Sequence, residues 1–82
     1  MIHLIYFGVL KQQLGLAQES LDWPGGTRDE LLALLRGRGH DWAEALAPER
    51  IFRLVVNKQI TQGNVSIPHG AEVALLPPVT GG

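Results

Sequence analysis

One strong helix signal, set between segments typical of strands, limits the folds open to this sequence. Thr27 is followed three residues later by Glu30, and a leucine-rich segment begins immediately afterwards. This capping-box pattern predicts a helix that begins at about Thr27. Gly37 and Gly39 are expected to stop that helix in a left-handed conformation. The leucines expected on its core-facing side are Leu31, Leu34 and Leu35.

The N-terminal segment is typical of a strand hairpin. Residues 2–9 are rich in β-branched and aromatic side chains and are too short for a free-standing helix, so they predict a first strand. Residues 19–23 predict a second strand, closed by Pro24-Gly25-Gly26, and residues 11–16 are expected to connect the two. Strict alternation along the first strand gives it two faces. The side chains expected to face the core are Ile2, Leu4 and Tyr6, and those expected to face outward are His3, Ile5 and Phe7.

The second half of the sequence alternates short predicted elements with turns. A short helix is expected over residues 42–47, just before Pro48. Strands are expected over residues 51–57, 60–61 and 72–76. The first and last strands are apolar enough to lie side by side at the centre of a sheet. This order predicts an α+β fold in which one helix crosses one face of the sheet.

Length and composition exclude several classes of protein. A chain of 82 residues that is 45% hydrophobic and 18% charged is typical of one folded domain, which we expect to span residues 1–82. Seven Lys and Arg against eight Asp and Glu give a net charge of −1, without the basic run of a nucleic-acid-binding protein. The absence of cysteine excludes disulfides and a thiolate nucleophile. The apolar N-terminus lacks a signal-peptide pattern and is shorter than a membrane span, so we expect a cytoplasmic protein with neither nucleic-acid nor membrane partners.

The predicted sheet and helices carry no pattern typical of an active site. His3, His40 and His69 have no metal-ligand spacing, so no metal site is expected. Ser20 and Ser66 lack a nucleophile-elbow motif, and no glycine-rich loop has phosphate-binding spacing. Chemistry is therefore expected near the C-terminus.

The C-terminal residues form an unusual segment, Pro77-Pro78-Val79-Thr80-Gly81-Gly82. The prolines favour an extended exit from the sheet, and the glycines, which lack a Cβ, fit a narrow channel in another protein. A free α-carboxylate at Gly82 is a poor acyl donor, so a partner must activate it, for example as an acyl-adenylate. The alternative is an ordinary frayed terminus.

Three apolar residues are candidates for an outward-facing partner patch: Phe7, Ile60 and Leu76. The alternative is that they pack in the core, because a shift of one residue along a strand reverses every facing assignment.

The C-terminal sequence Leu75-Leu76-Pro77-Pro78-Val79-Thr80-Gly81-Gly82 resembles that of the small, sulfur-carrying subunits of molybdopterin synthase. Ile5-Tyr6-Phe7-Gly8 followed by Lys11 resembles that family's first strand, and Leu54-Val55-Val56-Asn57 resembles its central strand, so the resemblance covers essentially the whole chain. Leu76 stands where the family often has an aromatic residue. The resemblance implies a ubiquitin-like β-grasp fold in which residues 76–82 are an extended functional tail.

The same resemblance implies a reaction cycle and its partners. An adenylating enzyme that uses ATP would activate Gly82, and a sulfur donor would then replace AMP to give a thiocarboxylate. In a heterotetramer with the large synthase subunit, that sulfur would pass to cyclic pyranopterin monophosphate during molybdenum cofactor biosynthesis. No cofactor would be bound by this chain itself. The residues implied to contact the large subunit are Phe7, Ile60, Leu76, Pro78, Val79, Thr80 and Gly81.

Other functions remain open at this point. A terminal Gly-Gly is shared with ubiquitin and with the thiamine-pathway sulfur carrier. The chain could therefore carry sulfur for thiamine synthesis or tRNA thiolation, or form isopeptide bonds as a ubiquitin-like modifier. A binding module that uses only its sheet is the third alternative.

Overall fold

A computed structural model describes residues 1–48 and 53–76 of the chain. In its five-stranded mixed sheet, β1 (Ile2–Tyr6) and β7 (Glu72–Leu76) lie side by side and parallel. β2 (Gln18–Leu21) pairs antiparallel with β1, and β4 (Arg53–Val56) pairs antiparallel with β7. β5 (Gln59–Ile60) pairs with β4, which gives the order β2-β1-β7-β4-β5. The predicted adjacency of the first and last strands is confirmed.

Along the chain, helices alternate with the strands of this sheet. α2 (Arg28–Arg36) follows a two-residue strand, β3 (Gly26–Thr27), that pairs with β6 (Ser66–Ile67). The other helices are α1 (Gly8–Leu14) and α3 (His40–Ala45). The buried leucines of α2 belong to the same hydrophobic core as the buried side chains of the central strands. The expected α+β architecture, with a helix packed on one face of the sheet, is confirmed.

The strands separate core from solvent by strict alternation. Every second residue of β1, β4 and β7 is buried, and the residues between them are partly or fully exposed. This confirms the predicted facing of the first strand. The buried set in these strands is Ile2, Leu4, Tyr6, Leu54, Val56, Val73 and Leu75.

The capping box at the start of α2 is present in full. The Glu30 N–H donates to Thr27 Oγ1 at 3.2 Å, and the Thr27 N–H donates to Glu30 Oε1 at 2.8 Å. Two amide groups that a helix start leaves without partners are satisfied in this way. The predicted beginning of the helix is confirmed.

The predicted strand over residues 2–9 is wrong beyond Tyr6. Gly8 has φ of +59°, which breaks the extended backbone, and α1 then occupies most of the expected connection. Leu10 is buried and Leu14 packs against the core one helical turn later, so the apolar period changes from 2 to 3.6 at the glycine. The hairpin pairing itself is correct, although β2 spans Gln18–Leu21 instead of residues 19–23.

The core-facing side of α2 differs from the prediction by one leucine. Leu31 and Leu35 are buried as expected, but Leu34 is 40% exposed and Leu32 is buried in its place. At 100° per residue, the face shared by Leu31, Leu32 and Leu35 is centred well away from Leu34. Four leucines in five positions fit more than one face, and packing decides among them.

The end of α2 also differs from the prediction. Gly37 keeps a right-handed conformation with φ of −73°. Gly39 has φ of +149° and ψ of −178°, which is not the predicted left-handed conformation, and α3 begins at the next residue. The short helix predicted over residues 42–47 therefore lies two residues earlier.

The predicted strands of the second half are present with shifted ends. Of the strand expected over residues 51–57, the structure describes 53–57, and β4 ends at Val56 because Asn57 has φ of +50°. β5 lies one residue before the expected 60–61, and β7 matches the expected 72–76.

We predict that Thr27→Ala lowers the free energy of unfolding by about 1 kcal/mol, because the side-chain acceptor of the capping box is lost. Urea denaturation measures the change. Thr27→Ser keeps the hydroxyl and should retain nearly all of the stability. Equal losses in both variants would show that the cap contributes little.

Candidate functional site

The face of the sheet opposite the core carries a row of apolar side chains across four strands. Ile5 lies directly opposite Ala74, Ala74 opposite Val55, and Val55 opposite Ile60. Directly opposed residues of neighbouring strands share a face, so all four project from the same side. We call Ile5, Ala74, Val55 and Ile60 the apolar row. Ile60 is 63% exposed, and the other three are partly exposed.

Two further apolar residues lie where the central strands end. The backbone of Phe7 is extended (φ −121°, ψ 155°) and continues the alternation of β1, so the Phe7 side chain follows that of Ile5 on the outer face. Its N–H donates to the Leu75 carbonyl at 3.2 Å, which places Phe7 beside the end of β7. Leu76 is the last residue of β7 and projects away from the buried Leu75.

The structure therefore places the three sequence-predicted patch residues, Phe7, Ile60 and Leu76, on one face of the sheet. Phe7 is 44% exposed, Ile60 is 63% exposed and Leu76 is half-buried, so the alternative of core packing is wrong for them. Ile60 lies on the apolar row, whereas Phe7 and Leu76 lie beside the row, two residues beyond Ile5 and Ala74 toward the C-terminal end of β7. We call these three residues and the apolar row together the open-face surface.

Polar groups border this surface along both ends of the strands. Arg53 lies opposite Leu76 and is exposed. At the other end, His3 lies opposite Glu72 and pairs with Gln18 through a 3.0 Å contact between Nε2 and Oε1. An apolar centre with a polar border is typical of a protein-binding surface.

Val55 and Ala74 were not predicted as surface residues, although their positions in the alternating pattern of β4 and β7 place them on the outer face. Val55 alternates with Leu54 and Val56, and Ala74 alternates with Val73 and Leu75. Two strands must be aligned before such residues form one surface, and a single sequence does not supply that register.

The strongest electrostatic cluster lies away from the open face and serves packing. The Tyr6 hydroxyl donates to Glu19 at 2.7 Å, and Arg38 donates two hydrogen bonds to the same carboxylate at 2.7 and 2.9 Å. Burial, followed by the bond to Glu19, raises the pKa of Tyr6 far above its ordinary value. Burial alone would raise the pKa of Glu19, but the bonds from Arg38 and Tyr6 outweigh it and lower that pKa. Arg38 also lies 4.6 Å from the Trp42 ring centre.

The predicted reactive segment lies outside the described residues. This applies to Pro78, Val79, Thr80, Gly81 and to Gly82, the expected adenylate and thiocarboxylate site. The described structure ends with Leu76, the last residue of β7, and Phe7 lies beside this end of the strand.

The described ranges contain neither a candidate metal-binding cluster nor a candidate membrane-spanning helix. Within residues 1–48 and 53–76, no three His, Cys, Asp or Glu side chains are grouped so that they could hold a metal ion. In the same ranges, every helix is too short or too polar to cross a bilayer.

Comparison with known proteins gives three consistent matches. The model of the ThiS family matches residues 4–82. The molybdopterin synthase sulfur carrier subunit of Haemophilus influenzae is 26% identical over 82 residues, with full coverage of both chains. The crystal structure of SAMP1 from Haloferax volcanii superposes with a TM-score of 0.72 at 22% identity, covering 99% of this chain and 98% of that one. The structural match confirms the β-grasp fold expected from the sequence.

Proposed function

Because this chain belongs to the ThiS family of ubiquitin-like sulfur carriers, we propose that it is the sulfur-carrying subunit of a molybdopterin synthase. The observation that carries the proposal is the full-length match to a curated subunit of that name, together with the Pro-Pro-Val-Thr-Gly-Gly segment. The open-face surface supports it by offering a site for the large subunit.

In the proposed cycle Gly82 is the reacting residue. Its carboxylate attacks the α-phosphate of ATP on an adenylating enzyme, which releases pyrophosphate and leaves an acyl-adenylate. A sulfur donor displaces AMP to give the thiocarboxylate, whose sulfur is nucleophilic although the chain has no cysteine. The thiocarboxylate sulfur forms a bond to a carbon of cyclic pyranopterin monophosphate, and water then cleaves the resulting thioester, which returns the carboxylate and leaves the sulfur on the pterin. Two such transfers supply a dithiolene.

The open-face surface would bind the large subunit while the last residues enter its active site. Phe7 lies beside the last described residues of β7. Docking of this surface would therefore bring residues 77–82, which follow Leu76 in the sequence, close to the partner. Pro78, Val79, Thr80 and Gly81 would line the channel, in which glycine allows close approach of the backbone. Enclosure of the thiocarboxylate would also protect it from water.

We predict that deletion of Gly82 abolishes sulfur transfer and leaves thermal stability unchanged, because the reactive carboxyl is displaced while the buried core is untouched. Conversion of cyclic pyranopterin monophosphate is measured with the adenylating enzyme, ATP, a sulfur source and the large subunit. Gly81→Ile should act in the same way by blocking the channel. Gly81→Ala is the matched, milder variant.

The same assay separates the alternatives. Near-normal turnover by the Gly82 deletion would contradict the carrier proposal. Thiolation in a thiamine or tRNA system, but not of the pyranopterin, would assign the carrier to another pathway. Lysine-linked products in place of transferred sulfur would indicate a protein modifier.

We predict that Phe7→Ala and Ile60→Ala each weaken binding of the large subunit, by up to about 2 kcal/mol for an apolar anchor buried at an interface. Calorimetry with the purified large subunit measures the effect. Leu34→Ala is the matched control, because Leu34 is similarly exposed at 40% but lies on α2, across the sheet from this surface. Equal affinity of all three variants and the unsubstituted protein would show that the open-face surface does not bind this partner.

A further inference from the structure

Ile60, the most exposed large apolar side chain of the described residues, projects from a very short strand. β5 has only two residues, lies at the edge of the sheet and pairs with β4 alone. An edge strand of two residues is stabilised only weakly by its backbone hydrogen bonds to β4. The position of Ile60 therefore depends on what holds the residues on either side of it.

On the N-terminal side, Asn57 fixes the turn between β4 and β5. Val56 pairs with Gln59, so Asn57 and Lys58 form a two-residue hairpin loop, and their φ angles of +50° and +70° are those of a type I′ turn. The Asn57 N–H donates to the Glu72 carbonyl at 2.8 Å, and Asn57 Oδ1 accepts from the Glu72 N–H at 3.0 Å. This side chain thereby ties the turn to the start of β7.

On the C-terminal side, Thr61 fixes the chain directly after Ile60. The Thr61 N–H donates to the Leu54 carbonyl at 3.0 Å, and Thr61 Oγ1 donates to the same carbonyl at 2.9 Å. Leu54 is buried in β4, so it is a rigid anchor. Ile60 thus lies between two residues whose side chains are each hydrogen-bonded to the backbone of the central strands.

We infer that Asn57 and Thr61 are positioning residues that hold Ile60 in its binding geometry before the partner arrives. This inference rests on the proposed function, in which Ile60 contacts the large subunit. A surface group that is ordered in advance loses less conformational freedom on binding. Neither residue needs to touch the partner, because each acts through the backbone of β5.

A double-mutant cycle tests the inference. Thr61→Val replaces the hydroxyl with a methyl group of similar size, and we expect it to weaken binding of the large subunit by between about twofold and tenfold, as for loss of one hydrogen bond. In an Ile60→Ala background the same change should have almost no further effect, because no anchor is left to position. Thr61→Ser should restore the affinity. Thr27→Ala, which weakens the fold away from β5, should leave the affinity unchanged.

Asn57→Gly provides a second variant, since glycine accepts the positive φ at this position while the whole side chain, with the oxygen that accepts from the Glu72 N–H, is removed. In the free protein, ¹⁵N relaxation should show a lower order parameter at the Ile60 amide in both Thr61→Val and Asn57→Gly. If Ile60→Ala weakens binding but Thr61→Val and Asn57→Gly do not, or if their effects add to that of Ile60→Ala, the positioning role is wrong. If Ile60→Ala itself leaves the affinity unchanged, both that role and the partner contact proposed for Ile60 are wrong, and Phe7→Ala then decides whether the rest of the open-face surface binds this partner.

Discussion

The parallel pairing of β1 with β7 is the constraint on which the rest of the structure depends. Leu4 lies opposite Val73 and Tyr6 opposite Leu75, and all four side chains are buried. The same register places Ile5 opposite Ala74 on the other face. A slip of one residue would exchange the two faces, so burial of the core also sets the open-face surface.

Parallel neighbours require a long crossover connection, and almost the whole chain lies between these two strands. That connection supplies α2, whose buried leucines pack on one face of the sheet, and among the described residues the apolar row on the other face stays partly or fully exposed. It also brings the described end of β7 beside Phe7. The fold thereby places an apolar surface next to the segment that the proposed function makes reactive. In the proposed function, the open-face surface binds the partner, and Gly82, in a different part of the chain, carries the reacting group.

The sequence predicted those elements whose signals are local. The capping box at Thr27 gave the start of α2, and period-two alternation gave the facing of β1. The sequence-based prediction was wrong where the apolar residues fit both a strand period and a helix period. Residues 7–14 were predicted as strand and loop, but the positive φ of Gly8 ends the extended backbone and α1 begins there. Leu34 was predicted to face the core and Leu32 was not, whereas the structure shows the reverse. Only tertiary packing selects which face of a leucine-rich helix is buried. Phe7, Ile60 and Leu76 were found from their phase, whereas Val55 and Ala74 needed the register between strands.

The mass of the intact native protein tests whether this chain carries sulfur at Gly82, as we propose. The protein should be isolated from cells that also make its adenylating enzyme and sulfur donor, under conditions that preserve thiocarboxylates. Exchange of one carboxyl oxygen for sulfur predicts a species heavier by about 16 Da, which fragmentation assigns to Gly82 and which reverts after incubation with the large subunit and cyclic pyranopterin monophosphate. An unmodified Gly82 under these conditions, or a mass gain located on any other residue, would contradict the account.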